Sequence, residues 1–197
     1  MNHLEINSQV TLKTLDINRT PDNLKAVMSR LEDVYEMTKD FINKDNFILD
    51  MGTKDGLLFD LLVEKGFNKN FLIGIDCCQE VVDICNEKGY TTFKEDIQKT
   101  DLIDEFDFIY IIHTLEHVPN PEMVVKECDR ILNDKGFVFV EVPIQSKIDE
   151  AELWGHYHPF TDKQQIRDLF ENYNILKEDS QISKSKSPWF RILFQKK

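Results

Sequence analysis

Seven short apolar runs, most of them separated by segments of helical period, constrain the fold of this chain more than any other feature. The runs fall at residues 47–50, 71–76 ("FLIGID"), 90–96 ("YTTFKED"), 106–112 ("FDFIYII"), 137–143 ("FVFVEVP"), 173–181 ("YNILKEDSQ") and 188–196 ("PWFRILFQK"). Strands that are apolar along their whole length are buried on both faces, which is the mark of a parallel sheet with helices on either side. Leu57 to Lys65 reads as a helix stopped by Gly66, and "QEVVDICNEKG" as a helix closed by Gly89. "NPEMVVKECDRILNDKG" reads as a helix ending at Gly136, and "TDKQQIRDLFENY" as one capped by Thr161. Right-handed crossovers between such elements give a doubly wound sheet. The expected fold is therefore α/β and Rossmann-like, with a mostly parallel seven-stranded sheet.

Ahead of this alternation, "TPDNLKAVMSRLEDVYEMTKDFI" has a helix start, with Thr20 at the N-cap and Pro21 at the first helical position. Leu24, Val27, Met28, Leu31, Val34 and Phe41 make its apolar stripe. Residues before Thr20 show no strong period. No linker or internal repeat divides the 197 residues. The chain reads as one domain, with a helical flank or lid over 1–45, a core over 46–143, and a loop, helix and final strands over 144–197.

A formal net charge of −12 disfavours nucleic acid as a partner, because affinity for it rests largely on neutralising phosphates. The one basic cluster, Lys184, Lys186, Arg191, Lys196 and Lys197, reads as a solvated tail. No run approaches the ~20 apolar residues of a membrane span, and the start lacks the apolar core of a secretion signal. Both point to the cytosol. Four cysteines without C-x-x-C spacing read as reduced thiols, with no zinc site among them.

The chain has only seven glycines, yet two bracket one turn: "ILDMGTKDGLL" places Gly52 and Gly56 between the first strand and its helix. Glycines allow a ligand close to the backbone, and a helix N-terminus adds N–H groups. Acids end or follow the first three strands: Asp50, Asp76 and Asp96. Asp76 lies where a carboxylate accepts from ribose hydroxyls. A dinucleotide oxidoreductase would want G-x-G-x-x-G, but Lys54 and Leu57 occupy its second and third glycine places.

"ILDMGTKDGLLFDLL", "LIGIDCC", "FKEDIQ" and "FDFIYIIHTLEHVPNPEMVVKECDRILNDKGFVFVEVP" together resemble the successive motifs of class I S-adenosylmethionine-dependent methyltransferases. The small bacterial type with Leu-Glu-His in the fourth motif is the most similar. The resemblance covers about 46–143, continues more loosely through "WGHYHPFT", and makes 46–143 a cofactor-binding core. It implies S-adenosylmethionine as cofactor, with Asp50, Gly52, Lys54 and Gly56 bordering its methionine part. Asp76 would hold the ribose, Cys77 the adenine face, and Asp96 with the Ile97 N–H the adenine edge. His113 would stand near the sulfonium. The family pattern has glycine where this chain has Lys54. That lysine either points to solvent or reaches the ligand's carboxylate.

Methyl transfer needs alignment first and a base only when the acceptor must lose a proton. His117 and His158 are the candidate proton acceptors. Glu141, Trp154, His156, Tyr157 and Phe160 would form a substrate wall with them, and the resemblance implies no metal there, although His156, His158 and Glu141 carry metal-ligating groups. The expected activity is methyl transfer to a small-molecule acceptor at oxygen or nitrogen. The alternatives are an idle module of the same fold and a methyltransferase acting on a macromolecule. Oligomeric state leaves no mark on the sequence.

Overall fold

The computed structural model describes residues 2–103, 105–145, 155–182 and 188–197. Trp154, Lys184 and Lys186 lie outside them. Seven strands form one sheet: β1 (Ile48–Met51), β2 (Leu72–Asp76), β3 (Thr91–Lys94), β4 (Phe106–Ile112), β5 (Leu132–Pro143), β6 (Tyr173–Ile182) and β7 (Pro188–Lys196). Their spatial order is β3-β2-β1-β4-β5-β7-β6. The first five are parallel, and β7 runs antiparallel to both its neighbours. The expected mostly parallel seven-stranded sheet is the one found. Strand order reverses between β1 and β4, which opens a crevice beyond their carboxyl ends.

The described helices are α1 (His3–Asn18), α2 (Pro21–Thr38), α3 (Leu57–Glu64), α4 (Gln79–Glu87), α5 (Pro121–Ile131) and α6 (Lys163–Leu169). None is long and apolar enough to cross a membrane. Successive side chains of β4 go to opposite faces, as the two-residue period of a strand requires. Phe108 and Tyr110 pack with Leu31 and Val34 of α2 and with Phe59 of α3. Ile109 and Ile111 pack with Val124 and Cys128 of α5 and with Ile166 of α6. Each fully buried aliphatic or aromatic side chain contributes ~1.5–3 kcal/mol, so burial on both faces rigidifies the strand ends that carry the site.

Residues 3–18 form a helix within the expected helical flank despite lacking an apolar period, and α1 is fastened largely by polar contacts. Asn7 Nδ2 donates to the His117 carbonyl (2.8 Å) and Ser8 Oγ to the Cys77 carbonyl (3.1 Å). Leu15 of α1 is buried in an apolar cluster with Cys78 and Val81. The fifth helix ends at Ile131, not at Gly136. There Leu132 pairs with Phe106 and so begins β5, and Lys135 takes the left-handed turn at φ 64°. The cap of α6 is Asp162 rather than Thr161. Its carboxylate accepts from the Gln164 N–H (2.7 Å), and Gln165 Oε1 accepts from the Asp162 N–H (3.0 Å).

Candidate active site

A cavity of about 700 Å³ opens beyond the carboxyl ends of β1, β2 and β4. Asp50, Gly52, Lys54, Asp76, Cys77, Asp96, Ile97, His113 and His117 all line it, so nine of the eleven candidate residues converge on one space. Gly56 and His158 stand outside the lining. Gly56 starts α3 at φ 75°, with room for no more than a close Cβ contact to Cys85 Sγ at 3.1 Å. His158 turns its ring onto Phe160 (5.0 Å between centroids) and gives its backbone N–H to the Glu116 carbonyl. His156 lines the cavity where His158 does not.

The β1–α3 turn has a defined architecture. At Gly52, φ is 88° and an added Cβ would lie 2.2 Å from Thr114 Oγ1, so the turn can pass under the end of β4 only with glycine. Lys54 is itself left-handed at φ 50°, a conformation that costs a non-glycine residue ~1–2 kcal/mol. Its side chain does not point into open solvent. The side chain is half-buried in the cavity wall, and its Nζ donates to Thr14 Oγ1 of α1 at 3.0 Å. Burial lowers the lysine's pKa, opposed by Asp55 and reinforced by Arg30.

The acids differ in setting. Asp76 accepts from the backbone N–H groups of Lys54 (3.0 Å) and Cys78 (2.9 Å), which fixes its carboxylate at the cavity edge. Burial raises its pKa against those hydrogen bonds. Asp50 is pushed up to about 7 by burial, with Thr53 opposing and the charge of Asp76 adding. Asp96 Oδ2 lies 3.3 Å from His3 Nε2 of α1, and its Oδ1 accepts from the Gln98 N–H. Gln98 Nε2 also reaches both Asp96 oxygens, at 3.2 Å and 3.4 Å. Two carboxylates of this kind, held on successive strand ends, fit a ligand with vicinal hydroxyls and an exocyclic amine. Burial raises the pKa of Cys77 to about 12, which keeps it an uncharged thiol beside them.

The opposite wall carries histidines. His117 Nδ1 faces the Gly155 carbonyl at 3.2 Å, and His156 Nδ1 faces Gln145 Oε1 at 2.9 Å. A carbonyl only accepts, so Nδ1 of His117 must donate; its neutral form then has a basic Nε2. His156 is pushed down to about 4 by burial, with Glu116 opposing and the other histidines adding, so it is neutral at pH 7. Ligating atoms of Glu116, His117 and His156 lie within 4.8 Å of one another. Among the described residues this is the histidine–carboxylate group that assembles; the set His156, His158 and Glu141 does not.

His113 follows β4 at φ 50°, a strained conformation of the kind that recurs at functional sites. Its Nδ1 lies 3.5 Å from Glu116 Oε1 and its Nε2 3.1 Å from Glu141 Oε1. Burial and Arg30 push its pKa down, but the two carboxylates more than offset them, and the net direction is up. Sequence reading missed Arg30, an isolated cation on α2, and misjudged Arg191. Arg191 belongs to no solvated tail: it is buried and its Nε donates to Glu141 Oε2.

A family model described as a methyltransferase domain matches residues 23–177, well over half of the chain. A ubiquinone biosynthesis O-methyltransferase of Methylococcus capsulatus is 32% identical over 99 residues, 46% of this chain and 40% of that protein. The chain thus matches less than half the length of that relative. Among solved structures, the magnesium protoporphyrin IX methyltransferase of Synechocystis PCC 6803 with bound SAM superposes with TM-score 0.76 at 12% identity, covering 100% of this chain and 98% of that one. The N-methyltransferase NodS of Bradyrhizobium japonicum WM9, in complex with S-adenosyl-L-homocysteine, gives TM-score 0.70 at 14% identity over 92% and 90% of the two chains. At these identities the superpositions speak for the fold, and the family model for membership. The chain belongs to the methyltransferase domain family.

Proposed function

We propose that this protein transfers a methyl group from S-adenosylmethionine to a small-molecule acceptor, at oxygen or nitrogen. The observation that carries the reading is the convergence of Asp50, Asp76 and Asp96 on one cavity whose far wall is built of histidines. When bound, S-adenosylmethionine supplies a methyl group already activated by a positively charged sulfur. Asp76 accepts from the ribose hydroxyls, and Cys77 lies against the adenine face. Asp96 accepts from the exocyclic amine, with the Ile97 N–H beside it. Asp50, Gly52 and Lys54 border the methionine part, and His113 stands toward the sulfonium end. Gly56 contributes by setting the start of α3.

His117 accepts a proton from an acceptor that must lose one, through the Nε2 left basic by the Gly155 contact. His158 supports that segment through Phe160 and the Glu116 carbonyl rather than facing the acceptor. Alignment in the cavity accounts for most of the acceleration, because the donor carbon needs no further activation.

Calorimetry with S-adenosylmethionine and S-adenosylhomocysteine tests the cofactor assignment, followed by turnover against a panel of hydroxylated and amino metabolites. Micromolar binding and methylated product are the expected results. No heat at millimolar cofactor would sink the reading.

A further inference from the structure

Glu116, His117 and His156 bring a carboxylate oxygen and two imidazole nitrogens within 4.8 Å of one another in the cavity wall. Glu116 and His117 sit on the single turn Leu115–His117 that follows β4, and His156 on the irregular segment before α6. Main-chain contacts hold these two segments in place. The His158 N–H donates to the Glu116 carbonyl (3.0 Å), and Asn7 of α1 donates to the His117 carbonyl (2.8 Å). Gly155, at φ 67°, passes so close to α1 that an added Cβ would lie 2.9 Å from Val10 Cγ2. The convergence of the three side chains is thus set by the backbone that carries them.

Each group also has an outer partner that orients it. His117 Nδ1 faces the Gly155 carbonyl at 3.2 Å, and His156 Nδ1 faces Gln145 Oε1 at 2.9 Å. Both oxygens accept, so both Nδ1 atoms donate and each Nε2 keeps its lone pair. Glu116 Oε1 faces His113 Nδ1 at 3.5 Å, whereas Glu116 Oε2 is buried without a hydrogen-bond partner. With the side chain only 1% exposed, that oxygen is an acceptor left unpaired away from water, which is costly. The atoms left over are two nitrogen lone pairs and a carboxylate oxygen, and all three call for a cation. Imidazoles fixed through Nδ1–H to a carbonyl, beside a carboxylate itself contacted from outside, are the arrangement found around protein-bound metals.

We propose that Glu116, His117 and His156 bind a divalent transition-metal ion, with its open coordination position toward the cavity. Two imidazoles in a set of three select against Mg²⁺ and Ca²⁺, which prefer oxygen ligands throughout. A ligand ammonium group is the competing occupant. It is about the size of a water molecule, and the burial of Glu116 Oε2 closes that oxygen to a group so large. A bare ion, at about 2.0–2.2 Å from its ligands, fits between them. Three protein ligands leave a position for an outside oxygen, as in metal sites that act on a bound water or substrate. The inference goes beyond the methyl-transfer reading and shares one atom with it: His117 Nε2 holds either the ion or the acceptor's proton. The base role belongs to the ion-free protein, whose kinetics are read in the presence of chelator.

The test uses the untagged full chain, stripped with EDTA and desalted, then titrated by calorimetry with Zn²⁺, Co²⁺ and Mg²⁺. Zn²⁺ and Co²⁺ are expected to bind at one ion per chain, and excess Mg²⁺ to leave them in place. Bound Co²⁺ should absorb in the visible without the intense near-ultraviolet band of a thiolate ligand. His156→Ala and Glu116→Gln should abolish this binding. Gln145→Ala keeps all three ligands but frees one imidazole, and should weaken binding ~10–100-fold. It serves if replacement of the buried Glu116 unfolds the protein. Absence of Zn²⁺ binding, binding that survives His156→Ala, or a thiolate band that assigns the ion to the cysteines overturns the proposal. So does displacement by Mg²⁺. S-adenosylhomocysteine titrated into the same samples reports on the other reading. Zn²⁺ binding in a chain that takes no cofactor leaves the ion site standing and removes the methyl-transfer reading.

Discussion

Glu141 and Arg191 face each other directly across the β5–β7 pair, both fully buried, with the Arg191 Nε–H donated to Glu141 Oε2. Burying an ion pair is expensive in desolvation, so the pair by itself adds little stability, but deleting one member leaves a charge stranded. Arg30 and His113 contact the same carboxylate, which ties the strand pair to the cavity wall. A buried ion pair and part of the cavity wall are one network here.

Removal of the Glu141 charge should therefore be severe. Burial alone would raise the pKa of Glu141, but His113, Arg30 and Arg191 outweigh it and hold the carboxyl at about 2. A depressed carboxylate contributes stability that is complete above its unfolded pKa of ~4.5 and lost as pH falls through the folded value. Glu141→Gln is expected to cost ~3–5 kcal/mol in urea unfolding at pH 7. The gap to the native protein should narrow between pH ~4.5 and ~2. A pH-independent difference would show that charge is not the cause.

Asp50 should behave in the opposite way. Its pKa is raised to about 7, so the folded state holds a proton that the unfolded state releases near pH ~4. The folded state binds more protons between those values, and stability falls as pH rises through that window. Asp50→Asn mimics the protonated form and should escape the fall. Its stability should match the native protein near pH 4 and exceed it at pH 8, by at most ~4 kcal/mol for a shift of this size. Thermal melts of both proteins from pH 4 to 8 make the comparison, and parallel curves would contradict the assignment.

The fold was legible because continuous apolar runs and helical periods report burial directly. Asp50, Asp76 and Asp96 were legible because a doubly wound sheet puts strand ends in one place. Two parts were not. α1 touches the site with His3, Asn7, Ser8 and Thr14, polar contacts that leave no hydrophobic period to detect. Arg191 looked like part of a basic tail, because its partner Glu141 lies fifty residues away and only the antiparallel register of β7 on β5 joins them. His156 and His158 illustrate a finer limit. Two residues apart on an irregular segment, they take different surroundings, and no strand or helix period tells which faces inward.

Lys54 offers a separate test of the glycine turn. Lys54→Gly relieves ~1–2 kcal/mol of left-handed strain. It also raises the entropy lost on folding by ~0.5–1 kcal/mol and breaks the contact to Thr14. Net stability should move by less than ~1 kcal/mol. If the ammonium also serves the methionine carboxylate, affinity for S-adenosylhomocysteine should drop about tenfold, the value of one charge-assisted hydrogen bond. Unchanged affinity in calorimetry would limit Lys54 to bracing α1.

Asp76→Ala removes a carboxylate that two backbone N–H groups hold in place. Loss of its ligand contacts should weaken S-adenosylhomocysteine binding by ~1–3 kcal/mol. Because the same substitution frees the Lys54 and Cys78 N–H groups, melting temperature must be measured alongside. Asp76→Asn keeps the shape and the acceptor oxygen and should lose less of the affinity. An Ala variant that binds as tightly as the native protein would remove the ribose assignment.

His117 and His156 present the sharpest kinetic contrast. Their rings meet edge to face at 4.7 Å, yet each Nδ1 has its own partner, Gly155 for one and Gln145 for the other. A base in the methyl-transfer step should slow turnover by about 10²–10⁴-fold when removed, with cofactor affinity intact. His117→Ala is expected to do this for a hydroxyl acceptor and to have a much smaller effect with an acceptor that reacts already deprotonated. His156, pushed down to about 4, stays neutral through the physiological range and titrates only in acid. Its substitution should change acceptor KM more than the pH profile of kcat. Equal turnover in His117→Ala and native protein with the hydroxyl acceptor would move the proton elsewhere, and a lost pH limb in His156→Ala would identify where.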